Sequence, residues 1–132
     1  MARVKKGSAA GYPFGALLEE LEGVSATLGH GDSGRIFLLK STTANTVTLP
    51  SASAGLRYKF IVTDSTAAST IVADSAILKG AVVADDDTDS MAGTTITVTT
   101  DTTVGDWLEI VSDGTNWYVS GHTTDATGFT VA

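Results

Sequence analysis

From Arg35 onward, apolar and polar positions alternate along short segments of the chain. In Thr95-Ile96-Thr97-Val98-Thr99 the isoleucine and valine share one face and the threonines take the other, the two-residue period of a half-buried strand. Tyr58, Phe60 and Val62 likewise share a face opposite Arg57 and Lys59. The same reading gives strands over 36–40, 46–49, 57–63, 70–73, 77–84, 94–100, 107–112, 116–120 and 129–131. Pro50 and the Ser51-Ala52-Ser53-Ala54-Gly55 run break two of them, and Asp113-Gly114 supplies the tight turn of a hairpin between Trp107 and Ser120. Short, closely spaced strands with turn signals predict a small β-sandwich or barrel-like domain.

Ahead of that region the pattern changes. Residues 13–22 are the one helical stretch: Leu17, Leu18 and Leu21 fall on one stripe, Pro13 suits a first turn, and Gly23 suits a stop. A helix this short is marginal alone and must dock on something. Residues 1–12, with Gly7, Ser8, Ala9, Ala10 and Gly11, have little to bury and read as a flexible arm, and 29–34 read as a loop. The expected organisation is an N-terminal arm, helix and loop over 1–34, followed by an all-β domain over 35–132.

Composition narrows the function classes. The chain has 132 residues, enough for one domain with a real core. Its twenty-one threonines suit the wet side of strands. Cysteine is absent, so disulfides and thiolate metal sites do not arise. No run of 18 apolar residues is present to span a membrane, and no apolar segment follows the basic start, so neither a membrane partner nor a secretory leader is expected. Charge is lopsided: residues up to Lys79 carry a net +2, the remainder −9, and the whole chain −7. That balance argues against nucleic acid as a direct partner, because neutralising phosphates needs a basic face.

Candidate chemistry is sparse. Gly31-Asp32-Ser33-Gly34 matches part of a serine-protease nucleophile loop, but Arg35 stands where a glycine is required and no upstream His/Asp pair completes a triad. His30 and His122 both adjoin glycine and read as exposed loop residues. Asp85, Asp87 and Asp89 have the 1-3-5 spacing of a calcium loop, whose glycine and glutamate positions hold Ser90 and Ile96 instead. Neither a metal site nor a cofactor is expected, and no assembled nucleophile or base points to an enzyme. Trp107, Trp117 and Tyr118 fit core packing better than a sugar platform.

Three stretches carry a resemblance. Asn45-Thr46-Val47-Thr48-Leu49-Pro50, then Ala54-Gly55-Leu56-Arg57-Tyr58-Lys59-Phe60-Ile61-Val62, then Gly105-Asp106-Trp107 through Asp113-Gly114-Thr115-Asn116-Trp117-Tyr118-Val119 together resemble a β module of tailed-bacteriophage virion surface proteins. The resemblance spans about 35–121 and brings no catalytic residues. Such modules occur in head-decoration (cement) proteins and in tail fibres or spikes, where a receptor or glycan would be the ligand. A small β domain with a short N-terminal segment is most similar to the decoration proteins. The resemblance therefore implies a homotrimer on the outer capsid surface of the virion, bridging copies of the major capsid protein. For attachment, the residues themselves suggest Arg3, Lys5 and Lys6 on an adhesive arm. With them go Tyr12 and Phe14 and the apolar stripe of Leu17, Leu18 and Leu21.

Overall fold

The computed structural model describes residues 2–7, 17–74, 77–84 and 88–132. Thirteen strands are found among them. They are β1 (Ala2–Gly7), β2 (Leu18–Glu22), β3 (Ala26–Thr27), β4 (Ile36–Lys40), β5 (Asn45–Thr48), β6 (Arg57–Asp64) and β7 (Ser69–Val72). After these come β8 (Leu78–Ala84), β9 (Thr88–Gly93), β10 (Thr95–Val98), β11 (Trp107–Ser112), β12 (Trp117–Thr123) and β13 (Phe129–Val131). A single 3-10 turn covers His30–Asp32. The strands form two mixed sheets packed face to face, the sandwich expected from the alternation. The larger runs β1-β2-β4-β6-β11-β12-β8-β9 and the smaller β13-β10-β7-β5-β3.

The first half of the sandwich is built as a coil. Over β2–β7 the chain passes from the large sheet to the small one three times, as β2–β3, β4–β5 and β6–β7. Successive passes pair in parallel within both sheets. Parallel stacking places equivalent residues above one another: Leu21, Leu39 and Val62 in one inward row, and Ala26, Val47 and Ile71 in the facing row. All six are buried. Phe37 stacks on Phe60, ring centroids 5.5 Å apart, and Tyr58 bridges toward Phe37 and Trp117 at 6.3 and 5.9 Å. Repetition makes the core continuous, because each layer covers the apolar face of the one before it.

The turns between sheets need their own polar partners. At the β4–β5 and β6–β7 corners Ser41, Ser69 and Asn45 are buried and joined: the Ser41 and Ser69 hydroxyls bond each other, and Ser69 Oγ donates to Asn45 Oδ1. Asn45 Nδ2 then donates to Val24 O at 3.0 Å, reaching the β2–β3 corner. One side-chain chain thus stitches all three coils and satisfies backbone that the bends leave unpaired.

The N-terminal expectations need correction. Residues 18–22 are strand, not helix, and no helix of seven or more residues is present among the described residues. The Leu17, Leu18, Leu21 spacing fits one helical stripe, but pairing with β4 selects a two-residue period. Leu21 and Glu19 then face inward, while Leu18, Glu20 and Glu22 face out. Non-local pairing overrides a local pattern only five residues long. The expected arm is likewise ordered over Ala2–Gly7, which pairs antiparallel with β2. β1 and β2 thus extend the sheet that residues 35–132 build.

Candidate functional site

Among the described residues a dense charged constellation lies where β1, β2, β4 and the 3-10 turn meet. Glu19 sits on the inward face of β2, 1 % exposed, because its neighbour two places on, Leu21, must enter the core. Two guanidinium groups hold it. Arg3 binds it through Nε, and Arg35 Nη1 lies 3.2 Å from Glu19 Oε2. The same Arg35 nitrogen reaches Asp32 Oδ1 at 2.6 Å, and Arg3 Nη2 reaches Asp32 Oδ2 at 3.2 Å. Two acids and two bases thus close a neutral ring, the condition under which a carboxylate is tolerated inside a protein.

Electrostatics follow from that ring. Burial opposes ionisation of Asp32, but the Gly29 amide, 2.9 Å away, and the two arginines outweigh it and hold its carboxyl below the usual range. Burial, with the Asp32 charge nearby, pushes the Tyr58 phenol up to about 12. Tyr58 donates its proton to Gly29 O at 2.7 Å, joining the ring to the aromatic core. Because Asp32 titrates below its unfolded value, its stabilisation is complete above about pH 4 and is lost as the pH falls further. Melting temperature followed from pH 6 to pH 2.5 should drop on the acid side by less in Asp32→Asn than in wild type. Equal acid sensitivity in both proteins would assign the loss to other carboxylates.

The described residues of the expected attachment segment do not share one exposed face, although β1–β2 pairing sets Arg3 opposite Leu21. Arg3 is committed to Glu19 and Asp32, and Leu21 is fully buried in the core. Leu18 is half-buried on the outward side of β2, and the Leu17 carbonyl accepts from Ile36 N at 3.0 Å. Lys5 and Lys6 lie within β1, while Tyr12 and Phe14 fall outside the described residues. Asp85 and Asp87 of the calcium-like spacing also fall outside them, and among the described residues no group of three or more acidic, His or Cys side chains gathers to hold a metal.

The protease-like loop serves the backbone. Ser33 Oγ accepts from Arg57 N at 3.0 Å, and Asp32 belongs to the ion ring. His30 lies in the 3-10 turn, as a loop residue should, but His122 belongs to β12 and not to a loop. The aromatic trio divides: Trp117 is fully buried, whereas Trp107 and Tyr118 lie on the solvent side of the large sheet.

Asn45, Asp106 and Asp113 of the three resembling stretches share one job. Asn45 stitches the coil corners. Asp106, 3 % exposed, receives the Thr103 amide at 2.8 Å, the Thr124 amide at 3.1 Å, and the hydroxyls of Thr123 and Thr124 at 3.1 and 2.9 Å. It therefore ties the turn before β11 to the end of β12. Asp113 Oδ1 accepts the amides of Thr115 and Asn116, both at 2.8 Å, and these lower its carboxyl's pKa. This is the Asx geometry that sets a tight turn. What the composition left unread is the Glu19–Arg35 pairing. Its only signal is a glutamate two places before a core leucine, hidden among Glu20 and Glu22.

Comparison of the chain with known protein families, with curated proteins and with solved structures finds no match.

Proposed function

We propose that this chain is a bacteriophage capsid decoration protein, acting as a homotrimer on the outer face of the head and bridging copies of the major capsid protein. The observation that carries this reading is where the resembling stretches lie. They form β5, β6, β11 and β12, and the last three are consecutive neighbours at the centre of the large sheet. Two of the three stretches therefore fall on one part of the large sheet, and the third lies in the facing sheet. Their distinctive polar residues are spent on turns and corners, which suits a protein whose work is mechanical: each copy adds contacts that must break before the shell opens. A tail-fibre reading would rest on Trp107 and Tyr118 alone, since Trp117 is in the core.

Purified protein incubated with undecorated capsids of its own phage should bind to saturation. Image reconstruction should place it as trimers on the outer shell. Absence from the head, or density confined to the tail, would overturn the proposal.

A further inference from the structure

We propose that the edge of β2, with Glu19 and Asp32 beside it, is a docking site for an extended strand that carries an arginine, and that in the assembled protein β1 of a neighbouring copy fills it. The inference rests on the homotrimer of the decoration reading. It turns the N-terminal strand from a contact with the shell into a contact between copies.

Backbone supplies the first half of the site. β2 pairs in parallel with β4 on one side. Its other edge offers amides and carbonyls to whatever runs beside it, and β1 takes them antiparallel. Ala2, Arg3, Val4 and Lys5 stand opposite Glu22, Leu21, Glu20 and Glu19. Among the described residues β1 pairs with β2 alone, at the end of the large sheet.

Charge supplies the second half. Without β1, Glu19, 1 % exposed, and Asp32 would share one guanidinium, that of Arg35. One negative charge would then stay uncompensated where little water reaches, which is costly. Arg3 answers it with a planar fork that reaches both acids, Nε to Glu19 and Nη2 to Asp32 at 3.2 Å. Of the outward acids of β2, Glu22 is matched by Lys40 at 3.4 Å, and Glu20 has an interaction of its own. The demand for an arginine therefore comes from the inward pair. Main-chain bonds give such a site its affinity and the charged pocket gives it its choice of strand.

Chain length argues for a neighbour as the donor. Gly7 ends β1 in register with Leu18, the first residue of β2, so a loop of about two to five residues would close the pair as a hairpin. Ten residues, 8–17, stand there instead, and they span about 33 Å when extended. That reach lets β1 cross to the β2 of an adjoining copy. Every copy carries the same strand and the same site, so exchange keeps each contact seen within one chain. Copies held side by side on a shell also raise the effective concentration of a neighbour's strand. Three copies passing β1 in one rotational sense fill all three sites and close the ring.

The chain has no cysteine, so introduced thiols report without background. Val4 and Glu20 are register partners, and residues directly opposed in an antiparallel pair lie within disulfide range. Full-length chains carrying Val4→Cys alone, and mass-tagged chains carrying Glu20→Cys alone, would be co-assembled, oxidised and separated under denaturing, non-reducing conditions. A cross-link from position 4 of one chain to position 20 of the other should form. Adding Arg3→Ala to the donor chain, with folding checked by circular dichroism, should slow its formation by about tenfold or more. Arg3→Lys should restore part of the rate, since it returns the charge without the fork. Cross-linking confined to chains that carry both substitutions, in a protein that is trimeric, would show β1 closing on its own β2. That result overturns this inference and leaves the decoration reading standing. A rate indifferent to Arg3 also overturns it, because the site would not be selecting arginine. A protein that is monomeric in solution and on the capsid sinks this inference and the homotrimer together.

Discussion

Asp106→Ala should lower stability by about 3 kcal/mol or more, a large share of the 5–15 kcal/mol that holds a domain of this kind together. The reason is the count of donors left behind. Two backbone amides and two hydroxyls converge on one carboxylate that is 3 % exposed, and alanine offers none of them an acceptor. Water cannot readily replace the carboxylate, because the β12 end closes over it. Asp106→Asn keeps one oxygen but presents an NH2 group to donors, so it should recover only part of the loss. Urea unfolding would show a lower midpoint with an unchanged slope. A loss below about 1 kcal/mol for alanine would mean that the surrounding turn rearranges to satisfy itself.

Trp117 offers a second large effect, with an internal control. Its ring is completely buried against Tyr58, yet its Nε1 has no hydrogen-bond partner. Trp117→Ala opens a cavity in the aromatic stack and should cost about 3–5 kcal/mol. Trp117→Phe also loses volume, but it removes the unsatisfied N–H, whose burial is itself unfavourable. The two terms oppose, so phenylalanine should stay within about 1.5 kcal/mol of wild type. Thermal or urea unfolding of the two variants separates the contributions. A phenylalanine variant as unstable as alanine would show that ring shape outweighs the buried donor.

How far this fold could be read in advance varied with the kind of contact that decides each element. The strands from Ile36 to Val98 other than β9 were legible because their inward residues are apolar and most outward residues polar: Val47 and Ile96 stand between threonines. The hairpin of β11 and β12 was legible from Asp113-Gly114, whose turn chemistry is local. The segment 18–22 was not. Glu19 points inward there, and a buried glutamate is acceptable only because Arg3 and Arg35, each sixteen residues away along the chain, come to meet it. No window of sequence contains both partners. The coiled connectivity was hidden for a similar reason. Its rows join residues separated by 18 and 23 positions, such as Leu21, Leu39 and Val62, and unequal spacing conceals the repeat. The outward place of Trp107 was within reach of the sequence, since it shares its parity with Glu109 while Leu108 and Ile110 take the other face; treating it as core alongside Trp117 concealed that.

A stack of parallel coils has no intrinsic last layer. Each coil leaves an edge with the same hydrogen-bonding pattern that recruited it, so a chain ending at β2 would present five residues of open backbone as a template for open-ended growth. β1 closes that edge by running the opposite way, and Arg3 fixes it there through Glu19 and Asp32. Seen from this end, the N-terminal strand acts as a terminator. By changing direction once, it ends the run of parallel coils and itself becomes the outer strand of the large sheet.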